Sequence, residues 1–98
     1  MDVRTIEDKA ERATSLLKAL ANKNRLKIMC SLYKGEKCVG DLEVISGLSQ
    51  SALSQHLARL RQDGLVTTRR EAQTIYYSTD NDEVQHIMEA LTKCLCTT

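Results

Sequence analysis

LSQSALSQHLARLRQDGLV, residues 48–66, carries two chemistries on one helical period. At 3.6 residues per turn Leu53, Leu57 and Leu60 fall on a narrow apolar stripe, while Ser51, Ser54, Gln55, Ala58, Arg59 and Gln62 lie opposite. Ser49 is placed to cap the helix, its hydroxyl accepting from a free amide of the first turn, and Gly64 suits the left-handed residue just past the end. The outward face presents short hydroxyls and amides first and guanidinium groups later, with no acid before Asp63. That order fits a helix entering a DNA major groove by its N-terminus, polar side chains toward base edges and arginines toward phosphates. The same period also describes an amphipathic surface helix with a solvated face, so the flanking sequence has to decide.

Upstream, Val39–Ser46 reads as a short helix burying Val39, Leu42 and Ile45, and Ser46-Gly47-Leu48-Ser49 turns directly into the polar helix. Two helices joined by a tight glycine-containing turn make a helix-turn-helix. Downstream the period becomes extended: Leu65–Arg70 and Thr74–Thr79 read as strands around a tip at Glu71-Ala72-Gln73. Such a hairpin is a wing, with Arg69, Arg70 and Gln73 placed for phosphates or a minor groove. Asn22 caps a second helix that runs to about Tyr33, lined by Leu26, Met29, Cys30 and Tyr33 and ended by Gly35. In the first segment Val3, Ile6, Ala10, Ala13, Leu17 and Leu20 alternate by threes and fours, a seam suited to a partner helix. Asp80-Asn81-Asp82-Glu83 opens a last helix with the stripe Val84, Ile87, Met88, Leu91 and Leu95. The expectation is one domain over residues 1–98, mainly α with a small β-hairpin wing, in the order α-α-α-α-β-β-α.

A chain of 98 residues can build a single core, adequate but not generous, so a homodimer that buries the terminal helices is expected. The net charge of +1 hides segregation. Residues 22–34 hold Lys23, Arg25, Lys27 and Lys34 without an acid, residues 59–70 hold four arginines against Asp63, and the segment from Asp80 is acidic. A basic face of this kind matters more for nucleic acid than the total. No apolar run approaches the ~20 residues of a membrane span, and Met1–Ala10 lacks the apolar core of a signal peptide, which points to the cytoplasm and away from membranes. Four cysteines in that compartment are expected to be reduced, metal-binding or redox-sensing. No Cys-X-X-Cys, catalytic triad or glycine-rich phosphate loop is present, so neither an enzyme nor a cofactor is expected.

Gly40-Asp41-Leu42, the run from Leu48 to Leu57, and Leu60-Arg61-Gln62-Asp63-Gly64-Leu65-Val66 together resemble the ArsR family of small bacterial winged-helix repressors. Arg69-Arg70-Glu71-Ala72-Gln73-Thr74-Ile75-Tyr76-Tyr77 is similar to the branch that holds the haemolysin regulator HlyU and the sulfide-responsive BigR and SqrR. The resemblance implies a homodimer through the first and last helices, reading half-sites of a double-stranded operator about 34 Å apart. Ser49, Gln50, Ser51, Ser54, Gln55, His56 and Arg59, with Arg69, Arg70 and Gln73 of the wing, are the expected DNA contacts.

The family's heavy-metal site in the third helix needs Cys-Val-Cys-Asp-Leu, and this chain has Cys38-Val39-Gly40-Asp41-Leu42, one thiolate short. Its last-helix zinc site needs paired carboxylates and imidazoles, of which only Asp82 and His86 are present, too few for a tetrahedral ion. Cys30 and Cys96 match in position the two cysteines of the BigR and SqrR group, which implies a redox switch responding to persulfides or peroxides. On the residues alone Cys30 equally suits a small buried hydrophobe. The alternative is a metal- or metalloid-responsive repressor using Cys38, Cys94 and Cys96; on an ideal helix Cys94 and Cys96 lie about 200° apart, so they share an ion only if the helix has ended.

Overall fold

A computed structural model describes residues 2–95. Helices α1 (Val3–Leu20), α2 (Lys23–Tyr33), α3 (Val39–Ser46), α4 (Gln50–Gln62) and α5 (Asp82–Leu95) are accompanied by a small sheet of β1 (Lys37–Cys38), β2 (Thr67–Glu71) and β3 (Thr74–Ser78). The sheet is antiparallel with order β1-β3-β2, and the wing register pairs Thr67 with Ser78 and Glu71 with Thr74. The fold is a winged helix-turn-helix.

Helix boundaries follow from local capping. Asp2 accepts from the Thr5 amide, and Asn22 accepts from the amides of Asn24 and Arg25, each satisfying donors that have no partner inside the helix. Gly47 (φ 71°) closes α3 in the left-handed region where a side chain would be strained. Asn81 accepts from the Val84 amide at 3.1 Å and starts α5.

Two C-termini are closed by basic side chains from α2. Arg25 donates from Nε to the Ala19 carbonyl at 2.6 Å, and Lys27 donates from Nζ to the Ser46 carbonyl at 2.9 Å. Cations at these positions meet the negative end of a helix dipole as well as an unpaired carbonyl. Part of the basic run of residues 22–34 therefore fastens α1 and α3 to α2.

The core is built from Ile28, Met29, Leu32, Leu42, Leu53, Leu57, Leu60, Leu65, Val66, Val84 and Met88, joined by Ala19 and Leu20. Burying each of the larger side chains stabilises the fold by roughly 1.5–3 kcal/mol. Four expectations need correction. Ile45 is 46% exposed, because among the apolar side chains of α3 only Leu42 faces inward fully while Val39 packs at the margin. The wing strands begin at Thr67, not Leu65: the Leu65 amide closes α4 and both Leu65 and Val66 are in the core. The tip is the two residues Ala72-Gln73, and β1 is an additional strand, pairing Lys37 with Tyr77 and Cys38 with Tyr76.

The apolar seam of α1 is unmatched within the protomer. Val3 is 78%, Ile6 51% and Leu17 56% exposed, with Leu95 of α5 at 74%. Only Ala19 and Leu20 at the end of α1 are buried, with Leu16 packed against the core. Arg12 of α1 pairs with Glu83 of α5 on the exposed surface.

Candidate nucleic-acid interface and its thiols

Helix α4 presents the polar face that its period implies. The Ser49 hydroxyl accepts from the Ala52 amide at 3.2 Å, and Leu53, Leu57 and Leu60 are buried. Gln50, Ser51, Ser54, Gln55 and Arg59 are exposed, and His56 is half-buried. At the far end the Gly64 amide donates to the Arg61 carbonyl and the Leu65 amide to the Leu60 carbonyl, the paired bonds of a Schellman motif. This closure throws the chain from α4 straight into the wing. Arg59 is tethered to Asp63 at 2.9 Å, one helical turn away, which orients its guanidinium along the helix.

Between α4 and the sheet runs an open groove lined by Ser54, Ala58, Arg61 and Tyr77, among others. Arg61 was absent from the contacts expected from sequence. It is exposed and forms no salt bridge with any described residue. Ser54, Ala58 and Arg61 stand at i, i+4 and i+7, so the same period that grouped the leucines groups these three.

The two arginines of the wing differ sharply. Arg69 forms a fork to Glu36, Nε to Oε2 at 2.8 Å and Nη2 to Oε1 at 2.7 Å, and donates from Nη1 to Glu71 at 2.8 Å. Its guanidinium also lies 4.5 Å from the Tyr76 ring centroid. Hydrogen bonds from Arg69 hold the Glu36 carboxyl below its ordinary range, and the two carboxylates raise the Arg69 guanidinium above its own. Arg70, next in sequence and on the other face of the strand, forms no ion pair among the described residues and is fully available. Gln73 is exposed at the tip, beside Ala72 with its φ of 57°.

Of the cysteines, Cys30 is half-buried on α2 against the core, Cys38 is half-buried at the N-cap of α3 without making a side-chain cap bond, and Cys94 is exposed on α5. Cys96 lies outside the described residues. Cys30 and Leu95 line one cavity, so the end of α5 is carried to the side of α2 that bears the thiol. Among the described residues no three His, Cys, Asp or Glu side chains converge as an ion would need, and Asp82 and His86 both point to solvent. No described helix is long and apolar enough to cross a membrane.

Residues 22–68, from the cap of α2 to the start of β2, match the family described as bacterial regulatory protein, arsR family. The transcriptional activator HlyU of Vibrio cholerae is 49% identical over 96 residues, covering 98% of this chain and 89% of that protein. This chain belongs to the arsR family. A structure of reduced HlyU from the same species matches this arsR-family fold with a TM-score of 0.93 at 48% identity, over 97% of this chain and all of that one. The transcriptional repressor BigR of Xylella fastidiosa matches with a TM-score of 0.88 at 36% identity, over the whole of both chains. The homodimeric winged helix-turn-helix domain of Mb0332 from Mycobacterium bovis matches at 0.78 and 29% identity, covering 98% of this chain and 87% of that one. These relatives are named as regulators, not enzymes, and this arsR-family chain is a transcriptional regulator.

Proposed function

We propose that the chain binds an operator as a homodimer, with α4 in the major groove, the wing on the flanking backbone, and affinity set by the oxidation state of Cys30 and Cys96. The polar face of α4 supports the first part. Ser51, Ser54 and Gln55 are short, exposed and free of acidic neighbours on that face, so they meet base edges. Ser49 and Gln50 stand at the N-terminal end of the same helix and His56 at its middle, and Arg59, Arg61, Arg70 and Gln73 meet phosphates. Arg69 serves the wing from inside, by holding Glu36, Glu71 and Tyr76. The uncovered seam of Val3, Ile6 and Leu17 supports the dimer. So does the homodimeric arrangement named for the Mb0332 domain.

The single observation that carries the switch is the cavity shared by Cys30 and Leu95, because Leu95 directly precedes Cys96 in the sequence. A low-molecular-weight persulfide RS–SH converts Cys30–SH to Cys30–S–SH and leaves as RSH. Attack by the Cys96 thiolate on the Cys30 sulfur then forms the Cys30–Cys96 bond and expels hydrogen sulfide. A peroxide reaches the same bond through a sulfenic acid, with two waters released. The link pulls the end of α5 onto α2, and α2 holds α3 through Lys27 and the Ser46 carbonyl, so the strain reaches the turn before α4. It regulates only through a difference in DNA affinity between the two states, for which ~1–3 kcal/mol is ample.

The test treats reduced protein with an organic persulfide or a peroxide, maps the link by peptide mass spectrometry and measures operator binding. A Cys30–Cys96 bond accompanied by a change in affinity supports the reading. A response that survives in the Cys30→Ser, Cys96→Ser double variant refutes it, and one lost only in Cys38 and Cys94 variants transfers the role to a metal or metalloid site. For DNA recognition, the Ser54→Ala, Gln55→Ala double variant should lose sequence preference, about 1–3 kcal/mol of it for a bidentate Gln55 contact. Unchanged specificity would move the groove contact elsewhere.

A further inference from the structure

The cavity beside Cys30 has a charge pattern that neither DNA binding nor dimerisation uses. Its volume is about 530 Å³, within the range of small-molecule sites, and its walls are Leu26, Ile45 and Leu95. Around these stand Lys23, Lys27, Lys34 and Lys37, and among the described residues no carboxylate lines the space. Lys23, Lys27, Cys30 and Lys34 follow one another at steps of four, three and four, the spacing of a single helical face. The thiol therefore sits in the middle of a lysine stripe. Two of the ammonium groups are fixed in place, Lys27 on the Ser46 carbonyl at 2.9 Å and Lys37 on the Gly35 carbonyl at 3.2 Å, while Lys23 and Lys34 are exposed at the mouth.

We propose that this cavity selects the inducer by charge: it admits low-molecular-weight persulfides that carry a carboxylate and turns away cationic ones. The proposal rests on the reading of Cys30 as the reacting thiol and names the class of molecule that reaches it. A pocket with one sign of charge and apolar walls concentrates ions of the opposite sign and speeds their arrival by factors of roughly 10–10³. The apolar walls hold the methylene body of the reagent, and the lysines hold its carboxylate. This arrangement leaves the sulfane sulfur facing Cys30. In the reaction the Cys30 thiolate bonds to the outer sulfur of RS–SH, the S–S bond breaks, and RS⁻ departs with the electron pair and takes up a proton. The persulfide is itself the oxidant, and no other redox partner is required.

Three persulfides with the same two-methylene spacer, derived from 3-mercaptopropionate, 2-mercaptoethanol and cysteamine, end in a carboxylate, hydroxyl or ammonium. Rates of Cys30 modification in the full reduced protein, followed by peptide mass spectrometry, should fall in that order. The carboxylate reagent should outpace the ammonium reagent at least tenfold near 20 mM salt, and the ratio should shrink toward one near 500 mM. In the Lys23→Gln, Lys34→Gln variant, which leaves both fixed lysines in place, the ratio should drop severalfold while far-UV circular dichroism and the rate with the uncharged hydroxyl reagent stay as before. Equal rates for the three reagents, or discrimination that is indifferent to salt and to the lysine variant, would overturn the proposal while leaving the switch intact if Cys30 is still modified. Failure of all three to modify Cys30 would overturn both.

Discussion

Replacing Arg70 by Ala should weaken DNA binding in a way that salt reveals. Arg70 is exposed on the wing with its guanidinium unpaired among the described residues, so its charge is available to a phosphate. Each phosphate neutralised contributes about 0.9 to the slope of log K against log salt, and a dimer loses two such contacts, so the slope should flatten by about 1.8. Between roughly 50 and 200 mM salt that difference makes the defect of the variant about twelvefold larger at the low end. Fluorescence anisotropy with an operator duplex and a scrambled duplex, titrated at four salt concentrations, measures it. Both duplexes should show the same loss, because a phosphate contact carries no base information. Arg69→Ala is the internal contrast. Its guanidinium already faces Glu36, Glu71 and the Tyr76 ring, so its removal should loosen the wing, seen as faster amide exchange at Thr68 and Tyr77, with the salt slope of the parent retained. A flattened slope in Arg69→Ala and an unchanged one in Arg70→Ala would refute this division of labour.

Leu17→Glu should leave the protomer folded, since Leu17 is 56% exposed there, but should shift sedimentation from dimer to monomer by placing an unpaired charge in the contact, at a cost of about 3–5 kcal/mol; an unchanged dimer would remove the α1 seam from the interface. Ala72→Gly should stabilise the protein by about 0.5–1 kcal/mol, the relief of a left-handed non-glycine residue less the added freedom of glycine in the unfolded chain, and a lower denaturation midpoint would contradict the strain assigned to φ 57°. Because Arg69 depresses the folded-state pKa of Glu36, the unfolded chain binds more protons in acid, so the contribution of this pair is present above pH ~4.3 and is lost as pH falls through the depressed value. Amide exchange in the wing should accelerate over that window in the parent and show no such step in Glu36→Gln.

The helices were legible because their ends are written locally. Asn22, Ser49 and Asn81 accept from amides two or three residues away, and Gly47 and Gly64 sit where only a left-handed residue closes the turn. The face of α4 could be read for the same reason, since one period separates Leu53, Leu57 and Leu60 from Ser51, Ser54 and Gln55. What escaped depends on distant partners. Glu36 and Arg69 are 33 positions apart, so nothing near either residue shows that the arginine is engaged. Lys27 reaches Ser46 across 19 positions. β1 is two residues long, too short for a period, and exists because β3 offers an edge to Lys37 and Cys38. Ile45 looks apolar enough for a core but falls on the side of α3 that the core does not reach, along the cavity wall beside Cys30.

The turn at Gly47 sets a gearing ratio. Only Gly47, Leu48 and Ser49 separate α3 from α4, and that short link is braced by the Leu48 amide on the Ser46 hydroxyl at 3.2 Å and by Lys27 on the Ser46 carbonyl. The 13 residues of α4 extend about 20 Å from this pivot. A tilt of about 5° there sweeps the far end of the helix through about 1.7 Å, several times the tolerance of a hydrogen bond whose donor–acceptor distances span roughly 2.7–3.2 Å. Displacements too small to disturb the packing of Leu53 against the core are thus magnified at the arginine end, where Arg59 and Arg61 stand, while Ser51 near the pivot hardly moves.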